Sequence, residues 1–327
     1  MTNLFIYTYM FSEKTVCLII YITLFSSHLL ATQVEKDIPV PDKVGAEIMP
    51  QFIAPFHDVP FNMPKLQYPK FPDYSVNIKD NGATVDKPIT ELVNRLIMET
   101  SRKGGGKVVI PSGKWKSARI ILKSNVNLYL EKGAEIEFSG EPKDYLPSVY
   151  TMHEGRQIMG SGSFIYACNE ENIAITGKGH IYGPSMDSPI RKNSNSIAWI
   201  EKDFPEKTEE RIFDGMEGRH FFAPKVIAPI QCKGVFIEGM TIERCMFWNV
   251  NPILCEDVII RGVTVNSVGI PSGDGVDITC SKNVLVEYCT MNCGDDCYAV
   301  KGGRDEEGAR MGIPTENVII RYCFAKA

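Results

Sequence analysis

A five-residue phrase headed by valine or isoleucine returns six times along this chain, and no other feature restricts its fold so strongly. It reads Val126-Asn127-Leu128-Tyr129-Leu130, Ile173-Ala174-Ile175-Thr176-Gly177, Val235-Phe236-Ile237-Glu238-Gly239, Val258-Ile259-Ile260-Arg261-Gly262, Val284-Leu285-Val286-Glu287-Tyr288 and Val318-Ile319-Ile320-Arg321-Tyr322. The last four headings are separated by 23, 26 and 34 residues. A period of about 20 to 50 residues built on short β-type units marks a solenoid, because one unit has too little apolar surface to fold alone and stacked units share a core. Alternate residues of the phrase are apolar, so one side is expected to face a core and the other water. A β-sandwich also has many short strands, but it does not require one phrase to recur. The expected fold is all-β, a parallel β-helix.

Ahead of the repeat, a strand over residues 75–78 is followed by Ile89, Leu92, Val93, Leu96 and Ile97 at helical spacing, with Pro88 at the start. Gly104-Gly105-Gly106 ends that helix, and Lys107-Val108-Val109-Ile110 is a strand stopped by Pro111. This unit is expected to cap the solenoid with a short helix, so the β-helix domain spans residues 75–327. Residues 32–74 are crowded with prolines and show no period, which predicts an extended lead-in. Residues 1–31 have the form of an export signal: Lys14, an apolar run over 16–25, Ser26-Ser27 and a cleavage site after Ala31. That run is shorter than the roughly 20 residues of a membrane span. An uncleaved anchor is the other reading, and both readings carry the rest of the chain out of the cytoplasm, to the periplasm or the extracellular medium.

Removal of the signal takes Cys17 and leaves nine of the ten cysteines, between Cys168 and Cys323. Export permits disulfides, but the cysteines recur at like places in the repeats, so stacked interior thiols and bridges both stay open. No histidine lies near the cysteine-rich end in a zinc pattern, and neither metal nor cofactor is expected. A net charge of −5 argues against nucleic acid, which calls for clustered basic residues. A polyanionic substrate would need local cations working against that overall field.

The stretch that points to chemistry is residues 271–303. Gly273-Asp274-Gly275-Val276-Asp277 and Cys293-Gly294-Asp295-Asp296-Cys297 flank an apolar, strand-like run. Alone, Asp-Gly is a turn signal, and Asp295-Asp296 is a solvated loop or half of a calcium site. Together they say more: Asp274 and Asp295 are 21 positions apart, about one coil, which would turn both carboxyl groups toward one cleft.

On such coils, Gly-Asp-Gly-Val-Asp followed by Cys-Gly-Asp-Asp-Cys-Tyr-Ala-Val-Lys resembles glycoside hydrolase family 28, the polygalacturonase group. The resemblance starts at Asn77-Ile78-Lys79-Asp80-Asn81-Gly82-Ala83 and takes in the Gly-Gly-Gly-Lys-Val-Val-Ile-Pro-Ser-Gly cap. It implies a right-handed parallel β-helix, a single-stranded solenoid, that hydrolyses α-galacturonosyl links of pectic polysaccharide with inversion, as in cell-wall pectin degradation. Carried over, Asp295 is the general acid, and Asp274 and Asp296 position and deprotonate the attacking water. Crowding of the three should raise the pKa of the acid. Lys301 and Arg304 become candidates to hold a substrate carboxylate. Trp248 and Asn251 fall on the preceding coil, where related bacterial sequences have Trp-x-x-His-Pro, and Asn251 takes the histidine's place. Ser272-Gly273-Asp274 stands where the family has Asn-x-Asp. The charged stretch 201–219 interrupts the repeat, either beside the cleft or as a solvated helix.

In that family a Gly-His-Gly and, about a coil later, an Arg-x-Lys follow the strand matched by residues 318–322. The resemblance therefore implies that C-terminal coils are missing, leaving the chain poorly soluble and feebly active by itself. A non-catalytic pectin-binding β-helix is the alternative function. A lyase, which would work through calcium and arginine, is a third.

Overall fold

The computed structural model describes residues 43–192 and 204–326. The expected export signal, residues 1–31, the first part of the lead-in and residues 201–203 of the charged stretch lie outside them.

The repeated phrases stack. Ile173, Val235, Val258, Val284 and Val318 are direct register partners from coil to coil. The strands that carry the phrase form one parallel sheet with Ser75–Asn77 and Gly106–Ile110 at its start. The strand of the cap is thus already the second strand of the solenoid. A second parallel sheet runs from Gly113–Ser117 to Phe324–Lys326. The third wall is made by Ile120–Ile121, Ser163–Cys168 and Lys225–Ile230, then by bridges through Val250 and Ile253, and finally by Val276–Thr279 and Tyr298–Lys301. Parallel pairing on three walls is a parallel β-helix and excludes the sandwich. Among the described residues, one paired set of strands is antiparallel, the hairpin of Val149–His153 and Arg156–Gly160.

Local chemistry sets the coil's corner. Just before each phrase head, Asn125, Asn172, Gly234, Asp257, Asn283 and Asn317 adopt φ between +53° and +69°. Only glycine and, among the rest, asparagine and aspartate enter that left-handed region readily. The same side chains then bond along the stack: Asn283 Nδ2 donates to Asp257 Oδ1 at 2.9 Å, and Asn317 Nδ2 to Asn283 Oδ1 at 3.0 Å. One residue type therefore makes the turn and pins the register.

Inside, phrase positions one and three (Val235 and Ile237, Val258 and Ile260, Val284 and Val286) join one continuous core. The helix Thr90–Arg102 closes its N-terminal end with Val93, Leu96 and Ile97. The outward face departs from the expectation of exposure to water. Ala174, Phe236, Ile259, Leu285 and Ile319, all at position two, are buried under the lead-in, against Leu66 and the partly buried Phe56, Phe61 and Tyr68. The lead-in is a strap. Its Ala54 and Pro55 carbonyls accept from Arg321, Tyr68 packs on Phe236 at 4.9 Å, the Lys70 carbonyl accepts from Asn172, and Tyr74 meets Lys107. A parallel sheet covered on both faces reads as a near-continuous apolar run, as these phrases do.

All nine described cysteines are free thiols. Cys232, Cys255, Cys289 and Cys323 each donate to backbone carbonyls, of Ile230, Ile253, Glu287 and Arg321 among others, so the structure takes the stacked-thiol reading.

Candidate active site

Apart from the helix Asp305–Met311, which follows the third wall, the large departures from regular coils occur where the chain leaves the second sheet for the third wall. The hairpin leaves there on one coil and residues 204–222 on another, and so do the tighter turns that hold the two aspartate groups. Residues 204–219 contain no α-helix; Ile212–Phe213 pairs with the hairpin, and the only helical piece is the short 3-10 turn Thr208–Glu210. Arg211 then reaches the buried Glu307 at 2.6 Å, tying this segment to the helix Asp305–Met311 that follows Lys301. The charged stretch thus belongs to a wall beside the site.

The two aspartate groups lie on adjacent coils. Gly275 N donates to Asp296 O at 2.8 Å and Val276 N to Cys297 O at 3.0 Å. With Val276 opposite Tyr298, this register carries Asp274 onto Asp296, with Asp295 one residue earlier. The glycines are there because the coils touch: a Cβ on Gly275 would sit 2.3 Å from Cys297 O, and one on Gly294 would sit 2.4 Å from Ile270 O.

Burial divides the carboxylates. Asp274 and Asp277 are enclosed, whereas Asp295 and Asp296 are exposed, with the Asp296 backbone N–H donating to Asp295 Oδ1 at 3.0 Å. Burial raises the pKa of Asp274, aided by nearby Asp295 and opposed by Lys301. Asp277 is pushed well above the usual carboxylate range, by burial first and Asp274 second. The crowding expected of the acid is thus felt at the enclosed pair. Asp277 lies inside the quoted motif, but nothing in its spacing distinguished it from a strand residue.

Lys301 Nζ lies 3.0 Å from Asp277 Oδ1, 3.2 Å from Asp274 Oδ2 and 4.0 Å from Asp296 Oδ2. Burial alone would depress its pKa, but Asp277 and Asp274 outweigh that and hold it above the usual lysine value. Beneath it lies Trp248, whose ring centroid is 4.1 Å from Nζ. Trp248 is itself buried, so it is a floor under Lys301 and offers little surface to a ligand. Asn251 is fully buried and its Nδ2 donates to Asp277 O at 2.5 Å and Thr279 Oγ1 at 3.0 Å. Asn249 Nδ2 likewise donates to Asp274 O at 2.8 Å. Both amides are struts beneath the aspartates, and Asn251 has no route to a polymer in the cleft. Arg304 pairs with Glu154 of the hairpin tip at 3.1 Å, while its N–H donates to Gly155 O.

Sequence reading missed a second layer. Lys225 is buried with Nζ donating to Met152 O at 2.6 Å, 5.6 and 5.7 Å from the rings of Phe247 and Trp248; burial depresses its pKa to about 7. His153 stacks between Phe222 and Phe247, at 4.4 and 4.5 Å. These residues come from coils far apart in sequence. The one signal was a lysine inside an otherwise apolar strand, Lys225–Ile230. Among the described residues, no group of three or more histidine, cysteine, aspartate or glutamate side chains could hold a metal ion. No helix among them is long and apolar enough to cross a membrane.

Residues 107–313, which include every candidate site residue, match the model for Glycosyl hydrolases family 28. A probable polygalacturonase of Vitis vinifera is 25% identical over 258 residues, covering 76% of this chain and 48% of that protein. An exo-poly-alpha-D-galacturonosidase of Dickeya chrysanthemi is 22% identical, covering 65% of this chain and 39% of that protein. The chain therefore spans about half or less of the length of these two relatives. Among solved structures, the hyperthermoactive exopolygalacturonase of Thermotoga maritima superposes with a TM-score of 0.70 at 31% identity, over 78% of this chain and 62% of that one.

Proposed function

Because this chain belongs to glycosyl hydrolase family 28, we propose that it hydrolyses α-galacturonosyl links of pectic polysaccharide with inversion of configuration. The observation that carries this reading is the register that sets Asp274 on Asp296, with Asp295 beside them at an open surface. Asp295 would donate its proton to the glycosidic oxygen as the bond to the anomeric carbon breaks. Asp274 and Asp296 would hold a water on the other face of the sugar and take its proton as the new bond forms. An inverting pair needs acid and base about 6.5–9.5 Å apart, leaving room for that water. Asp277, pushed well above the usual carboxylate range by burial and by Asp274, would hold a proton more readily than its exposed neighbours.

The proposed substrate lies outside the cell, in keeping with the export signal read in residues 1–31, so we place the protein in the periplasm or extracellular medium. The test is digestion of polygalacturonate followed by two signals at once. Reducing ends should rise with no ultraviolet absorbance from unsaturated products. A rise in that absorbance would mean elimination, and neither signal with retained pectate binding would mean a binding protein.

A further inference from the structure

We propose that Lys301 is the built-in counter-ion of the Asp274–Asp277 pair, seated there by the indole of Trp248, and that it acts on the reaction through Asp274 without binding the polymer. This rests on the reading of Asp274 as part of the water-activating pair. An ammonium group has three N–H donors. One is given to Asp274 Oδ2 at 3.2 Å, and the charge is also paired with Asp277 Oδ1 at 3.0 Å and, at longer range, with Asp296 Oδ2 at 4.0 Å. A galacturonate carboxylate would have to compete for the ammonium with three carboxylates of the chain itself.

The seat is fixed from below. Trp248 meets Nζ at 4.1 Å, within the range where an aromatic face attracts a cation. Phe247 stacks on the indole at 4.8 Å, with His153 stacked behind Phe247. The backbone of Lys301 is held opposite Thr279, one strand-repeat beyond Asp277. Lysine in this place matters because enclosure works against ionising Asp274 at all. The charged groups that bear on it are Asp277, Asp295, Asp296 and Lys301, with Lys225 across the indole and Glu154 behind Lys225. Of the two lysines, Lys301 is the one in contact with the carboxylates. Asp274 is shielded from the solvent, and the Lys301 charge beside it is the strongest influence opposing the effect of its burial, ahead of Asp277. Lys301 and Trp248 are therefore positioning residues.

The test reads Asp274 directly, by carbon NMR titration of the protein with carboxyl-labelled aspartate, the signal being assigned with Asp274→Asn. Lys301→Met should move the Asp274 midpoint upward by about one unit or more, the size of losing an opposite charge at this range. Trp248→Leu should move it the same way by less, while Lys301→Arg and Trp248→Phe should leave it near the wild-type value. Lys301→Gln replaces the methionine variant if that one does not fold. In turnover, the acidic limb of the pH profile should move upward with the midpoint while KM for oligogalacturonates stays nearly constant. An unmoved midpoint in Lys301→Met or Lys301→Gln overturns the proposal, as does a large rise in KM with an unmoved profile. A moved midpoint in a protein without hydrolytic activity would uphold the counter-ion and sink the proposed function, so the two can fail separately.

Discussion

Two stacks of charged side chains cross the coils of this molecule, one on the first sheet and one beside the third wall, and they have opposite characters. On the first sheet Glu238, Arg261, Glu287 and Arg321 are register partners in turn, so negative and positive alternate. Glu287 bridges Arg261 at 3.0 Å and Arg321 at 2.8 Å, and the strap supplies carbonyls from Pro50, Ala54 and Pro55 together with the Tyr68 hydroxyl. Beside the third wall Asp274, Asp277 and Asp296 share one cation, Lys301, with Asp295 next to them, and no strap covers Asp295 and Asp296. Both stacks draw on side chains at one place on successive coils, four on the first sheet and the pair Asp274 and Asp296 at the cleft. Alternating signs under a cover make a structural ladder, because each desolvated charge has a partner. Like signs at an open cleft instead leave carboxyl groups in more than one protonation state, which is what acid and base roles require.

The largest effect that should separate the two stacks is on turnover. Asp295→Asn and Asp274→Asn are each expected to lower polygalacturonate hydrolysis by at least roughly a hundredfold, the low end for losing acid or base assistance, with an unchanged melting temperature. Glu287→Ala should do the reverse. It leaves Arg261 and Arg321 buried without their shared carboxylate, a loss of about 3–5 kcal/mol in chemical denaturation, while turnover per folded molecule is kept. A Glu287→Ala protein of wild-type stability would mean that the ladder contributes no more than exposed pairs do.

The contrast also says what could be read in the sequence. Phrase heads marked the interior and their stacking because valine and isoleucine must fill one core at every coil. The same phrases hid the strap: Phe236, Ile259 and Leu285 were counted into an alternating pattern, yet their cover is the proline-rich segment far earlier in the chain, which has no period of its own. The aspartate groups were legible from their one-coil spacing. Their pairing was less so, since the backbone register joins Asp274 to Asp296, one residue from the 21-residue spacing to Asp295. The cations were hardest to read. A lysine or arginine shows its charge in sequence but not its partner, and Lys301 and Arg304 find carboxylates of their own chain at 3.0 and 3.1 Å.

A smaller effect would sharpen the comparison by asking what the site's second layer costs the fold. Burial holds Lys225 at about 7, below the ordinary 10.5. As pH falls from about 10 to 7 the unfolded chain takes up this proton and the folded one resists, so the native state loses stability over that window. Below about 7 both forms are protonated and the loss is constant. The melting temperature of Lys225→Met relative to wild type should therefore be highest near or below pH 7 and decline as pH rises toward 10. A difference independent of pH would place the proton on Lys225 throughout.

The central claim is that carboxylates brought together from adjacent coils deliver a water to the face of the sugar opposite the leaving group. Proton NMR of polygalacturonate digestion in its first minutes tests this most directly, since the anomeric signal of a new reducing end is read before mutarotation scrambles it. The account predicts that new ends from the α-linked polymer appear first in the β configuration. New ends appearing first as α would contradict it, because retention requires a covalent intermediate on a carboxylate and not a water held between two.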